Sequence, residues 1–341
     1  MTHGPSEIRP ERGFRDGTVE VRPPWLHERT DVRYLHREDW NRKAVHVVLA
    51  SSVGVIGAGR VGAVLAAALR SAGHPIVAVA GETAGSRTRA ETMLPGVPVS
   101  KPTAVARACE VLLLTVPDDA LDNVVRMLVG SGAISAGQVV IHSSGRHGMA
   151  VLQPALDVGA RGIAMHPAMT FTGTDLDLDH LPGCAWGVTC GPDERPLAEA
   201  LVGELDGRPV WVDEADRATY HAALAHGANH LVTLVSQAMD LLRQAGSTDP
   251  AATLRPLLTA ALDNALEYGD AALTGPIVRG DVQTVVEHLR SLADSAHSTL
   301  ESYVAMARAT ATHAVIDGRL EPRRAVLLIE ALDDALERAP R

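Results

Sequence analysis

The chain has 341 residues, a length that suggests two domains rather than one. Hydrophobic residues make up 46% of it and charged residues 21%, an ordinary globular balance that lets most of the chain bury a core. The formal net charge of −10 argues against a scaffold that works by neutralising nucleic-acid phosphates, and no apolar run approaches the ~20 residues of a membrane span. Cys109, Cys184 and Cys190 are an odd trio without a C-x-x-C pair, so they form neither a disulfide framework nor a zinc knuckle. The polar start, Met1 to Arg15, has no apolar signal core. The expectation is a cytoplasmic protein that handles small molecules.

Residues 1–43 carry nine Lys/Arg and eight Asp/Glu with no sustained apolar period, and read as a flexible extension. A tail docked on the body through Trp25, Tyr34 and Trp40 is the rival reading. The body opens near Val45. Val53 to Ile56 reads as a buried strand, followed by the turn Gly57 to Gly62 and a helical run to Ser71 stopped by Gly73. Further strands are expected at Ile76–Ala80, Val111–Val116, Val139–Ile141, Ile163–Met165, Ala185–Cys190 and Val210–Val212. Short apolar strands alternating with helical segments indicate βαβ units and a mostly parallel sheet. From about 214 onward the chain is Ala/Leu-rich and reads as all-helical, with runs at 218–244, 250–268, 281–294, 295–311 and 321–338. The expected organisation is an extension at 1–43, a Rossmann-like α/β domain at 44–213 and a helical domain at 214–341.

The chemistry begins at the glycine turn. Gly57, Gly59 and Gly62 form G-x-G-x-x-G directly after a strand and at the opening of a helix, which is where a dinucleotide pyrophosphate is held. Gly57, Ala58, Gly59, Arg60, Val61 and Gly62 are therefore expected to bind the cofactor. After the second strand, Ala80-Gly81-Glu82-Thr83 lacks an acid at the strand's last apolar position, and Arg87 and Arg89 follow. Arginines and hydroxyls suit a ribose 2′-phosphate, which favours NADP(H) over NAD(H). Val116, Pro117 and Asp118 end the third strand at the carboxyl edge, where they would border the nicotinamide ribose while Pro117-Asp118-Asp119 also starts a helix.

His142-Ser143 and His166-Pro167 each follow a predicted strand and are expected to face one crevice. On the long helix, His221 and Asn229 are eight residues apart, which on α-helical geometry places them within about 80° of one another. His226 and His230 are spaced to share a metal, but there is no H-E-x-x-H and no third ligand, so no metal is expected. Thr274 to Asp281 forms a turn in which Arg279 could clamp a carboxylate and Asp281 could cap a helix.

These motifs together resemble the family with an N-terminal Rossmann-like domain and a C-terminal domain of unknown function, DUF2520, over about residues 50–315. The resemblance rests on Gly57–Gly62, Val116-Pro117-Asp118-Asp119, His142-Ser143-Ser144-Gly145, and His166-Pro167 with Phe171. It also rests on Tyr220-His221-Ala222-Ala223 with Asn229, and on Leu273-Thr274-Gly275-Pro276 with Arg279-Gly280-Asp281. The family is similar to pyrroline-carboxylate reductases, 6-phosphogluconate and β-hydroxyacid dehydrogenases, and ketopantoate reductases. In those relatives a long helix carries Lys and Asn four apart at the catalytic centre. Here Ala225 stands four residues before Asn229.

The resemblance implies hydride transfer from NADPH to a small 2-keto or imino acid, with 2-dehydropantoate the leading substrate. His221 or His166 would then donate the proton, Asn229 would orient the carbonyl, and Arg279, His142, Ser143 and Thr274 would bind substrate. A non-catalytic NADP(H) sensor and an imine reductase of the pyrroline-carboxylate type are the alternatives. Pairing of helical halves into a homodimer is expected, without a membrane or nucleic-acid partner.

Overall fold

The computed structural model describes residues 51–338. The extension predicted at 1–43, and the opening of the body at Val45, lie outside the described residues. The strands are β1 (Val53–Ile56), β2 (Ile76–Ala80), β3 (Val111–Leu114), β4 (Val139–His142), β5 (Arg161–Pro167), β6 (Ala185–Cys190) and β7 (Arg208–Trp211). They form one sheet in the order β2-β1-β3-β4-β5-β6-β7. Every neighbouring pair is parallel except β5 with β6. The first four strands by sequence are almost wholly buried because helices cover the sheet on both sides. Val53, Val55, Leu113 and Ile141 pack on one face, with α1 (Arg60–Ser71) and α6 (Arg195–Glu204). Ile56, Leu112, Leu114 and Val140 pack on the other, with α3 (Pro102–Arg107), α4 (Asp118–Gly130) and α5 (Gln153–Asp157). The remaining helix of this half, α2 (Ala84–Met93), follows β2 and is capped by Thr83.

The register aligns the carboxyl ends. Ile56 lies opposite Leu114, Leu114 opposite His142, and His142 opposite Ala164. The residues after these positions therefore open onto one rim. β5 runs beyond that rim because β6 pairs with it antiparallel, His166 opposite Gly187 and Pro167 opposite Trp186. His166 thus belongs to the strand itself rather than to a loop after it. The chain crosses from β2 over β1 to β3, so the glycine turn at the end of β1 sits at the topological switch point.

The helical half begins with α7 (Arg217–Leu224), a wider turn at Ala225–Asn229, and α8 (His230–Gln244). These form the single long helix expected from the sequence, interrupted by π geometry: the His230 N–H reaches the carbonyl of Ala225, five residues back. Then come α9 (Pro250–Tyr268), α10 (Pro276–Arg279), α11 (Val282–Ser295), α12 (His297–Ile316) and α13 (Pro322–Arg338). Asp249 caps α9 through Ala252 N, and Asp281 caps α11 through Thr284 N, as its position predicts. Val285, Leu289, Leu300, Val304, Leu328 and Leu332 form a separate core of this half. Among the described residues no helix is long and apolar enough to cross a membrane.

Candidate active site

The glycine turn is tight and opens an uncapped helix. Gly57 has φ +103°, and a Cβ on it would press on the Thr115–Val116 backbone. A Cβ on Gly62 would overlap Gly57 O and Thr115 Oγ1, which are themselves joined by a 2.7 Å hydrogen bond. Gly59 differs: the nearest atom to a Cβ there is 3.8 Å away, so the protein itself leaves that side open. Gly59 also caps α1, whose first turn has no acidic residue and no side-chain cap. Backbone N–H groups of Arg60, Val61 and Gly62 can therefore serve an anion. Ala58 is buried and its N–H bonds Ala80 O, which ties the turn to the end of β2. A dinucleotide pyrophosphate fits this cradle.

At the end of β2 the side chain of Arg87 folds back. Its guanidinium donates to Glu82 O at 2.7 Å and Gly81 O at 3.4 Å. That puts a cation on the loop where the adenosine ribose lies in folds of this kind. Arg89 turns elsewhere, to Gly173 O at 3.1 Å. On the third strand's loop, Val116 is half-buried and Pro117 exposed, and Asp118 is held by Arg146 at 3.5 Å while its carbonyl faces His147 Nε2 at 3.2 Å.

Of the two histidines expected at the crevice, only His166 opens onto it. His142 is fully buried, with Nε2 2.8 Å from Gly148 O and Nδ1 accepting from Ser144 N at 3.2 Å. Both ring nitrogens are spent on its own loop, and burial pushes its pKa down to about 4. His142 therefore pins the 143–148 loop in the neutral state and does not present an atom to substrate, contrary to the sequence expectation. Ser143 is half-buried beside it, and its N–H bonds Leu114 O.

His166 lies in a cavity of about 220 Å³ lined also by Ala168, Met169, Thr170, His221, Leu224, Ala225, Ala228 and Asn229. His166 and His221 meet edge to face with ring centroids 6.1 Å apart. The wide turn explains why Asn229 joins them. It absorbs one residue, so the eight residues from His221 act as about seven α-helical steps, and the two side chains align within about 20° rather than 80°. Nothing in the local sequence announces that turn. Gly145 closes the other side, with no room for a side chain between His221 and His166.

Among the described residues no Lys, Arg, Asp or Glu lines this cavity. Ala225, four residues before Asn229, is part of its wall. Arg217, the nearest cation in sequence, is 1% exposed and points away, to Thr189 Oγ1, Ala164 O and Gly145 O. Thr274 and Arg279 are exposed on the helical half, next to the core residues Ile277 and Val278, and neither lines the cavity. His226 and His230 form an exposed pair with Nδ1 atoms 2.9 Å apart; among the described residues no group of three or more ligating side chains is placed to hold a metal.

The matches to known proteins part the chain within the sheet, before β6, and not at the start of the helical half. Residues 42–167 match the Rossmann-like domain, and residues 184–310 match a domain of unknown function, DUF2520. No curated protein matches the chain. Among solved structures, a protein of Bacteroides fragilis described as a candidate NADP oxidoreductase superposes with a TM-score of 0.68 at 20% identity, over 78% of this chain and 99% of that one. A protein of Thermotoga maritima gives 0.54 at 19% identity, over 83% and 98%. A reductive aminase of Aspergillus terreus, in complex with NADPH and ethyl-5-oxohexanoate, gives 0.53 at 18% identity, over 84% and 94%. At these identities the likeness is one of fold.

Proposed function

This chain belongs to the family that joins a Rossmann-like domain to DUF2520, and from that premise we propose that it is an NAD(P)H-dependent reductase of a small carbonyl or imine compound. The observation that carries the reading is the shared rim: the glycine cradle, and the cavity holding His166, His221 and Asn229, open at the same carboxyl edge of one sheet. Gly57, Gly59 and Gly62, with the first turn of α1, bind the pyrophosphate, and Val116, Pro117 and Asp118 border the nicotinamide ribose. Arg87 meets the ribose 2′ position, which makes NADP(H) the preferred cofactor. The bound cofactor supplies the hydride. The chain's own groups orient the acceptor: Asn229 holds the C=O or C=N group, His166 and His221 flank it, and Met169 and Leu224 give it an apolar wall.

The substrate is uncharged or carries an iminium charge. A carboxylate in a cavity with no cationic lining among the described residues would give up its hydration for little return. That weighs against 2-dehydropantoate, whose expected clamp, Arg279, stands outside the cavity. It favours the imine reading, because an iminium carbon is already activated and needs less help from an acid at the position of Ala225. A homodimer is part of the proposal, since α9 shows solvent Leu257, Leu262, Leu266 and Tyr268 at 65%, 49%, 79% and 63% exposure.

The test is oxidation of NADPH and NADH at 340 nm by the full chain. The substrates are cyclic imines, small ketones with amines, and 2-ketopantoate, with cofactor binding measured in parallel. Imine turnover with NADPH preference supports the proposal. Turnover of 2-ketopantoate alone would return the clamp role to Arg279, and tight NADPH binding without turnover of any substrate would make the protein a sensor.

A further inference from the structure

The segment that follows β5 touches both halves of the site. Its first residues, Ala168, Met169 and Thr170, line the cavity. Three residues beyond Thr170, Gly173 is buried against Arg60, the first residue of α1 and a member of the glycine turn. Phe171, between them, packs on the core of the sheet. Three residues of extended chain reach at most about 11 Å, so one short strap joins the cavity wall to the cradle.

Asp177 holds the strap in shape. It is 1% exposed, and its carboxylate accepts from Thr172 N at 3.1 Å, Thr172 Oγ1 at 2.8 Å and Gly173 N at 2.7 Å. Burying a carboxylate is costly, and these three donors from its own loop offset the cost. The peptide fixed in this way is Gly173, whose φ of +84° is rare for residues with a side chain. A Cβ on it would stand 2.6 Å from Arg60 Cγ and from Arg89 Nε, and 3.1 Å from Arg60 Cα. The bare Gly173 backbone is therefore the surface on which the Arg60 stem lies, and Arg89 Nε donates to its carbonyl at 3.1 Å. Arg60 is exposed, beside the uncapped N-terminus of α1. Neither Asp177 nor Arg60 forms an ion pair among the described residues.

We infer that Asp177 is a positioning residue for the cofactor: it fixes Gly173 against the stem of Arg60, so that the Arg60 guanidinium stays beside the glycine turn and pairs with the dinucleotide pyrophosphate. The N–H groups of the first turn of α1 and this side chain then meet one anion, the former with partial charges and the latter with a full one. Arg60 and Arg87 divide the recognition. Arg60 meets the pyrophosphate, which NADPH and NADH share, and Arg87 meets the 2′-phosphate, which only NADPH carries. The inference rests on the reading of the glycine turn as the cofactor site.

The experiment is a double-mutant cycle read by the Kd of the full chain for NADPH and for NADH. Arg60→Ala is expected to weaken both about tenfold, the worth of a charge-assisted hydrogen bond. Asp177→Asn replaces one accepting oxygen with a donor, leaves one N–H of the strap unmet, and is expected to weaken both to a similar degree. The double variant is expected to bind no more weakly than Arg60→Ala, because Asp177 acts through Arg60. If Asp177→Asn does not fold, Gly173→Ala, whose Cβ displaces the Arg60 stem, takes its place in the cycle. Unchanged affinity in Asp177→Asn, or additive losses in the double variant, would make Asp177 a residue of the fold only and overturn the inference. A loss confined to NADPH in Arg60→Ala would overturn it as well, by placing Arg60 on the 2′-phosphate. A wild type that binds neither nucleotide would overturn the reductase reading and the inference together. The expected cycle in a protein that reduces nothing would leave the inference standing and overturn the reductase reading alone.

Discussion

Gly59 and Gly62 are three residues apart, yet each lacks a side chain for a different reason. Gly62 is packed against Gly57 O and Thr115 Oγ1 within the protein, whereas a Cβ on Gly59 would meet only Gly57 O, at an unstrained 3.8 Å. Gly62→Ala should therefore destabilise the empty protein by about 1–3 kcal/mol, the usual range for overpacking. Gly59→Ala should leave the melting temperature of the empty protein unchanged and weaken NADPH binding; calorimetry with and without cofactor checks both. Equal melting losses in the two variants would mean that the turn is a packing feature and not a cradle. Arg87→Ala should weaken NADPH binding about tenfold or more, the worth of a charge-assisted hydrogen bond, and leave NADH binding nearly as it was. An equal loss for both cofactors would place the 2′-phosphate elsewhere. The turn at Gly57–Gly62 was legible because its spacing marks backbone positions, at Gly57 and Gly62, where a side chain would clash. His142 was misassigned because proximity to a strand end does not tell which way an imidazole turns: its burial and its bond to Gly148 O come from the fold of the 143–148 loop.

At the level of elements, two connections set the cavity. One is the wide turn Ala225–Asn229, which rotates Asn229 into line with His221. An uninterrupted helix was the natural expectation, since every residue from 217 to 244 is compatible with one. The other is Glu214, whose carboxylate accepts from Met149 N at 2.6 Å and Ala150 N at 3.1 Å. It joins the loop after β4 to the approach to α7, and Gly148 leaves it room. Glu214→Gln should cost about 1 kcal/mol, as loss of a helix cap does, and should lower the melting temperature without changing cofactor affinity. A large loss of NADPH binding would show that the loop itself reaches the cofactor. The antiparallel β5–β6 pair was also hidden from sequence, although both strands were placed, because strand direction depends on the connection between them and not on their apolar runs.

For the whole molecule, two properties await measurement. His142 and His166 have folded-state pKa values near 4, below the 6.5 of a free imidazole. The unfolded chain therefore binds protons first as pH falls. Stability is complete above about pH 6.5 and is lost progressively toward pH 4, so melting temperatures should fall through that window. A flat profile across it would mean that both rings are solvated and charged in the fold. Light scattering should find twice the chain mass. Leu262→Glu, on the exposed run of α9, should give monomers that keep the Rossmann half folded, and a monomeric wild type would remove the dimer proposal.

The amino-acid sequence alone determined the order of strands and helices, the division into an α/β and a helical half, and the glycine cradle. All three follow from local periodicity and from backbone positions that only glycine can occupy. The tertiary structure alone decided which polar residues share the cavity. It drew in His166, His221 and Asn229, turned His142 and Arg217 inward, and left Thr274 and Arg279 outside. The reason is physical: these placements depend on strand register, on one inserted residue in a helix and on the burial of side chains by segments distant in the chain, none of which a local pattern encodes.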